Sequence, residues 1–233
     1  MHPLVSPGAG PIPGVPQHQP SNLFRFGEIT LYSTFSWTDQ AMANTTNRLF
    51  ATPLGQNGQG FAPMSIGETN LKEAGRIPSG QAYDVFGVAG QVMARNSVAG
   101  VMNTMSEPFN VNGAAGAAGV GIVADLQNAV NNCILVWDFT QTQVFICPLM
   151  LAGAGGGTFG AISQNAAGAN SGAMGNGNGG IWMYRRHPVA LPGNSTFAVL
   201  LQFGAYAAAL SDTSGVAIRV VLLGYYKSVI EIG

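Results

Sequence analysis

Alternation of apolar and polar positions is strongest near the C-terminus of the chain. Phe197, Val199, Leu201 and Phe203 fall on one side of an extended segment, with Thr196, Ala198, Leu200 and Gln202 on the other. That period of two places one face of a strand in a core, whereas a helix would scatter the same residues. Val216, Ile218, Val220 and Leu222 repeat the pattern with Arg219 opposite them, and the β-branched side chains favour a pleated surface. A long apolar strand at the end of the chain needs partners, because unpaired N–H and C=O groups would recruit other chains. The upstream segments must supply them.

Phe24, Phe26, Ile29, Leu31, Tyr32, Phe35 and Trp37 predict a long, imperfect strand over 24–37, and a short one follows over 48–52. Residues 53–66 read as loop, rich in Gly, Gln and Asn. Glu68-Thr69-Asn70-Leu71 leads to a turn at 75–80, where Pro78 and Gly80 stop any helix begun at Leu71. Strand character resumes over 83–95, with a bulge expected at Gly87. Residues 96–121 show no clean period. Ile122, Leu126, Ala129 and Val130 share one face of a short helix predicted over 122–132.

Residues 133–139 and 143–151 predict a hairpin. With Phe139, Thr140 and Gln141 as its loop, Val136 faces Val144, Ile134 faces Ile146 and Cys133 faces Cys147. Both faces of this hairpin are apolar, so it is expected in the middle of the protein. Cys133 and Cys147 are expected as buried thiols, since cross-strand disulfides are geometrically demanding and nothing marks an oxidising compartment. Residues 153–180 are Gly, Ala, Asn and Ser without a charge, which predicts a long surface loop at 152–180. Strand resumes over 181–191, with Arg185-Arg186-His187-Pro188 at its exit. The sum is about eight antiparallel strands with long crossovers, an all-β chain of two Greek keys on the jelly-roll plan. Residues 23–233 then form one such domain.

Residues 1–22 stand apart. Pro3, Pro7, Pro11, Pro13, Pro16 and Pro20 are spaced by glycines and prevent helix or sheet pairing, leaving an extended arm that is either a disordered tail or ordered against a neighbouring subunit. This start lacks a basic segment followed by an apolar run, so no secretory leader is expected. The best apolar stretch, 197–210, falls short of the roughly 20 residues of a spanning helix.

Charged residues make up 8% of the chain, against about 25% in ordinary globular proteins. Either much of the surface meets other protein, or Asn, Gln, Ser, Thr and Gly dress it. The formal net charge of −1, with nine Lys and Arg dispersed along the chain, supplies no footprint for direct, sequence-specific nucleic-acid binding.

Candidate chemistry is sparse. Gly155-Gly156-Gly157-Thr158-Phe159-Gly160 fits GxGxxG, but the following segment cannot form the required helix and holds no acid. His2 and His18 lie in the arm, and His187 sits beside two arginines that oppose its protonation. Ser195, His187 and Asp212 lack a nucleophile-elbow signature. Two cysteines and scattered histidines lack metal-ligand spacing. Asn44-Thr45-Thr46 and Asn194-Ser195-Thr196 match the glycosylation pattern, which means little without a secretion signal. Arg185 and Arg186 read as a solvated strand end or as partners for an acid on a neighbouring subunit. No catalytic, cofactor or metal residue is therefore assigned.

Several pieces in order carry a family likeness: Glu68-Thr69-Asn70-Leu71; Gly75-Arg76-Ile77-Pro78-Ser79-Gly80-Gln81 entering Tyr83-Asp84-Val85; Cys147-Pro148-Leu149-Met150-Leu151 entering the glycine loop; Pro188-Val189-Ala190-Leu191-Pro192-Gly193-Asn194; and Val220-Val221-Leu222-Leu223-Gly224-Tyr225-Tyr226. From about Phe26 to Val229 the pattern resembles the jelly-roll major capsid proteins of tailless icosahedral bacteriophages, the vertical-barrel lineage whose virions often enclose a membrane. The resemblance implies a non-enzymatic subunit, made in the host cytoplasm and resident in the virion. Its implied partners are copies of itself, other virion proteins and the internal viral membrane. Many members carry two barrels, whereas 233 residues suit one with long loops. A receptor-binding or spike module is the alternative all-β viral reading. A β-sandwich hydrolase or lectin would require a polar cluster that the sequence does not show.

Overall fold

The computed structural model describes residues 23–37, 42–61, 63–95, 102–104, 128–139, 142–152, 159–164, 170–175, 180–184, 186–205 and 216–230. Within them lie twelve strands: β1 (Leu23–Trp37), β2 (Thr46–Leu49), β3 (Gln81–Arg95), β4 (Met102–Thr104), β5 (Cys133–Phe139), β6 (Thr142–Pro148), β7 (Phe159–Gln164), β8 (Asn170–Gly175), β9 (Trp182–Met183), β10 (Val189–Leu191), β11 (Phe197–Phe203) and β12 (Val216–Ile230). Helix among the described residues is limited to short segments, α1 over 128–132 and α2 (Leu149–Ala152). The protein is all-β, with antiparallel sheets.

One sheet runs β1-β12-β3-β10, with β4 and β9 also paired to β3; a second runs β2-β11-β5-β6; β7 and β8 form a separate ribbon. Pairing is nested. β1 meets β12 from Leu23↔Ile230 to Trp37↔Val216, β2 meets β11, β3 meets β10, and β5 meets β6 innermost. The chain therefore changes sheet at each step except from β3 to β4, in the β5–β6 hairpin, within the β7–β8 ribbon and at the short β9–β10 run.

The two sheets face each other across the alternating apolar positions. Phe197, Val199, Leu201 and Phe203 of β11 and Val216, Ile218, Val220 and Leu222 of β12 all enter one core cluster, together with Trp37, Trp137, Tyr83 and Phe50. Phe50 and Phe197 pack at 5.5 Å between ring centroids, and Trp37 meets Phe203 edge-on at 5.3 Å; such aromatic pairs add to simple area burial. The other face of β11 is also buried, Ala198 at 0% and Leu200 at 5% exposure. Arg48 pairs with Leu200 and Asp138 with Ala198 in the ladders. Their 3.2 Å ion pair thus straddles the central strand over those two residues.

Several expectations change. The strand expected over 48–52 lies at Thr46–Leu49, ended by Phe50 at φ 63°. The bulge expected at Gly87 falls one residue earlier: Leu223 faces Gly87 and Gly224 faces Val85, leaving Phe86 unpaired. In the β5–β6 hairpin only residues 140–141 separate the paired ends, and a further irregularity between Leu135 and Val136 shifts the register. Cys147 therefore faces Leu135 rather than Cys133; both cysteines are free and buried. The second strand stops at Pro148, whose missing N–H suits a helix start, and α2 replaces 149–151. The expected loop at 152–180 contains the β7–β8 ribbon, from Phe159↔Gly175 to Gln164↔Asn170. Of the helix expected over 122–132, the described part is helical at 128–132. The arm 1–22 lies outside the described residues.

Candidate functional site

The side chains weighed for acid–base chemistry do not assemble. His187 and Arg186 are exposed, and the Ser195 hydroxyl donates to the Pro192 carbonyl within its own turn. Asp212, His2, His18 and Arg185 lie outside the described residues. Of the glycine motif, Phe159 and Gly160 open strand β7 rather than a helix. Among the described residues no group of three or more His, Cys, Asp or Glu is placed to hold a metal ion. Burial raises Cys133 above the ordinary thiol range, and the neighbouring Cys147 adds to it. Cys147 is pushed up to about 11 by burial. Neither is an activated nucleophile, since reactive thiols are depressed and partly exposed.

The edges of the two sheets differ sharply in how they are finished. On the outer edge of β1, Tyr32 N donates to Asn70 Oδ1 at 2.9 Å and Asn70 Nδ2 donates to Thr30 O at 2.7 Å. Thr69 Oγ1 donates to Tyr32 O at 3.1 Å, and Ser36 N donates to Gln59 O at 2.9 Å. Gln59 Nε2 also reaches Ser33 Oγ at 2.8 Å and Thr34 O at 3.0 Å. Loop residues 59 and 68–70 thus do for β1 what a further strand would do. Glu68-Thr69-Asn70 was legible only as a turn approach; its role depends on contacts 34 to 40 residues away in sequence, which no local pattern encodes.

Among the described residues β6 shows no such cover, and its only strand partner there is β5. Thr142–Phe145 are exposed, Val144 at 46% and Phe145 at 59%. The expectation of a central hairpin is corrected here: β5 is interior and β6 is an edge. Met150 and Leu151 of α2, which follows β6 directly, are also exposed, as are Ile181 and Met183 beside and within β9. α2 joins the two sheets there, with Leu149 against Gly90, where an added Cβ would come within 2.4 Å of Leu149 Cδ1. Residues 139–184 contain no Asp, Glu, Lys or Arg. The exposed part of β6, Thr142–Phe145, carries neither charge nor proline, two of the devices that usually blunt an edge.

A cleft of ≈ 650 Å³ opens elsewhere, at one end of the sandwich between β1, β12 and the segment joining β2 to β3. Its apolar lining includes Ile29, Leu54, Ile66 and Tyr226, with Tyr83 at its base. Ile66 is 63% exposed. Glu28, Lys72 and Arg76 also line it, one carboxylate against two cations. The single Tyr83 phenolic proton faces two carbonyls, Ile29 O and, at 2.8 Å, Leu222 O, and burial raises its pKa. The ring lies over Gly224, where a Cβ would sit 2.5 Å from Tyr83 Cζ.

Neither family models, curated proteins nor solved structures match this chain significantly. The functional reading therefore rests on the fold and on these two surfaces.

Proposed function

We propose that the chain is a structural subunit of an icosahedral viral capsid whose function is to associate with copies of itself. The observation that carries the reading is the contrast between edges: β1 is capped by side chains from its own chain, while β6, with exposed Val144 and Phe145, and the α2 that follows it, with exposed Met150 and Leu151, carry no charge. An uncharged flank meets a copy of itself without like-charge repulsion, and exposed apolar area of this kind marks interaction sites. Contacts of ordinary size, each weak alone, close a shell through multivalency.

The connectivity supports the jelly-roll form of this reading. Taking β9 and β10 as one interrupted strand and setting aside β4, β7 and β8, the eight principal strands pair first with last and inward, as in a long hairpin rolled into two facing sheets. One barrel accommodates these eight strands. In this reading the further partners are other virion proteins and the enclosed membrane.

The test is sedimentation velocity and negative-stain electron microscopy of the full-length chain over a range of concentrations. Reversible oligomers that grow into ordered assemblies are expected. A species that stays monomeric at every concentration, alone and with its companion virion proteins, overturns the reading.

A further inference from the structure

We infer that the cleft at the end of the sandwich is the dock for the chain's own N-terminal arm, residues 1–22, with Ile12 and Val15 as its anchors. The inference does not depend on shell formation. Its first support is complementarity. The arm contains no Asp, Glu, Lys or Arg and places Leu4, Val5, Ile12 and Val15 among six prolines, while the cleft presents exposed Ile29, Leu54 and Ile66.

The second support is shape. Closely spaced prolines favour the polyproline II form, which has three residues per turn, and in that form the i, i+3 spacing of Ile12 and Val15 in Pro11-Ile12-Pro13-Gly14-Val15-Pro16 would put both on one edge. Grooves that take such segments are lined by aromatic faces, and half-buried Tyr226 supplies one here. Polyproline II makes no internal hydrogen bonds, so its carbonyls need donors. Lys72, Arg76 and Gln81 line the same cleft and carry them.

The third support is reach. The arm ends where β1 begins, at Leu23, and β1 lines the cleft from Gly27 onward. Those four residues span about 14 Å as a strand. The eight residues from Val15 to Leu23 span about 25 Å as polyproline II. The tether therefore passes the cleft mouth with length to spare, and the volume of ≈ 650 Å³ falls in the range of about 300–1,000 Å³ that holds bound ligands.

The experiment uses the full-length chain carrying the photocrosslinker p-benzoylphenylalanine in place of Ile66, irradiated, digested with trypsin and read by mass spectrometry. Trypsin releases the arm as a fragment ending at Arg25, so arm cross-links are identified directly. Adducts are expected on residues 1–22, concentrated over 11–16. The double substitution Ile12→Asp and Val15→Asp changes no residue of the core cluster. It is expected to lower the adduct yield at least about tenfold. Adducts confined to residues beyond Arg25, or a yield unchanged by the double substitution, overturn the assignment.

Discussion

Asn70 serves Tyr32 as a neighbouring strand would: it accepts from Tyr32 N at 2.9 Å and donates to Thr30 O at 2.7 Å, so one side chain satisfies a donor and an acceptor along the outer edge of β1. Ser33 and Thr69 complete the likeness with a one-residue antiparallel bridge. The loop that carries these residues is pinned in turn by Arg219, whose guanidinium donates to Gly67 O and, through Nε, to Thr34 Oγ1 at 3.2 Å.

Replacing Asn70→Ala removes both bonds and leaves two backbone groups of β1 without protein partners. The expected cost is about 1–2 kcal/mol, since each net hydrogen bond is worth about 0.5–1.5 kcal/mol. Urea unfolding followed by circular dichroism measures it. Asn70→Asp keeps the acceptor for Tyr32 N and loses the donor to Thr30 O, so it is expected to cost less than the alanine. Equal stability of all three proteins would show that the edge is held by something else.

On the opposite flank the expectation is reversed, because there a charge should matter to association and not to folding. Val144 and Phe145 are already in water in the isolated chain, so Val144→Lys with Phe145→Lys should change stability by no more than about 0.5 kcal/mol. The same pair puts like charges on a surface proposed to meet its own copy, and lysine is the residue that natural sheet edges use against pairing. Sedimentation velocity should show the variant as a monomer where the parent chain associates. Association at parental strength would remove β6 from the interface.

Which of these features the sequence exposes follows from how local each one is. β11 and β12 were legible because Phe197 to Phe203 and Val216 to Leu222 state their period without help from anything distant, and their predicted inner residues all enter the core. The β5–β6 hairpin was legible as a hairpin but not in register. A loop of two residues instead of three, with a bulge beside Leu135, moves every facing pair by one or two positions. Nothing in Thr142–Cys147 distinguishes an edge from a centre, because that depends on how many strands the rest of the chain contributes. The β7–β8 ribbon was hidden by residues with low β propensity. The edge-capping role of Asn70 and the cleft under Ile66 arise only when segments tens of residues apart are brought together.

Gly224 and Tyr83 offer a test of packing within the sheet. An alanine Cβ at 224 would lie 2.5 Å from Tyr83 Cζ and 2.6 Å from Asp84 O, too close for either atom to stay where it is. Gly224→Ala should therefore cost about 1–3 kcal/mol, the usual range for overpacking. In a Tyr83→Ala background the ring contact is gone and only the carbonyl contact remains, so the same glycine substitution should cost less. A coupling above about 0.5 kcal/mol in the double-mutant cycle is expected, and strict additivity would mean that the ring does not press on this position.

The buried thiols make stability fall on the alkaline side. Cys147 ionises at about 11 in the folded chain because burial disfavours the thiolate, against an ordinary value of 9.0. Below about pH 9 both folded and unfolded chains keep this proton, and its contribution is constant. As pH rises from about 9 to 11 the unfolded chain releases the proton while the folded chain holds it, so the unfolded state binds fewer protons and unfolding becomes easier. The contribution is fully present below the lower value and lost as pH rises through the upper one. Urea midpoints measured at intervals from about pH 7 to 11 should decline over that window, and Cys147→Ala should decline less steeply by the share of this one group. A parallel decline in the variant would assign the alkaline loss to other groups, among them Tyr83 and Tyr184, whose phenols burial also raises.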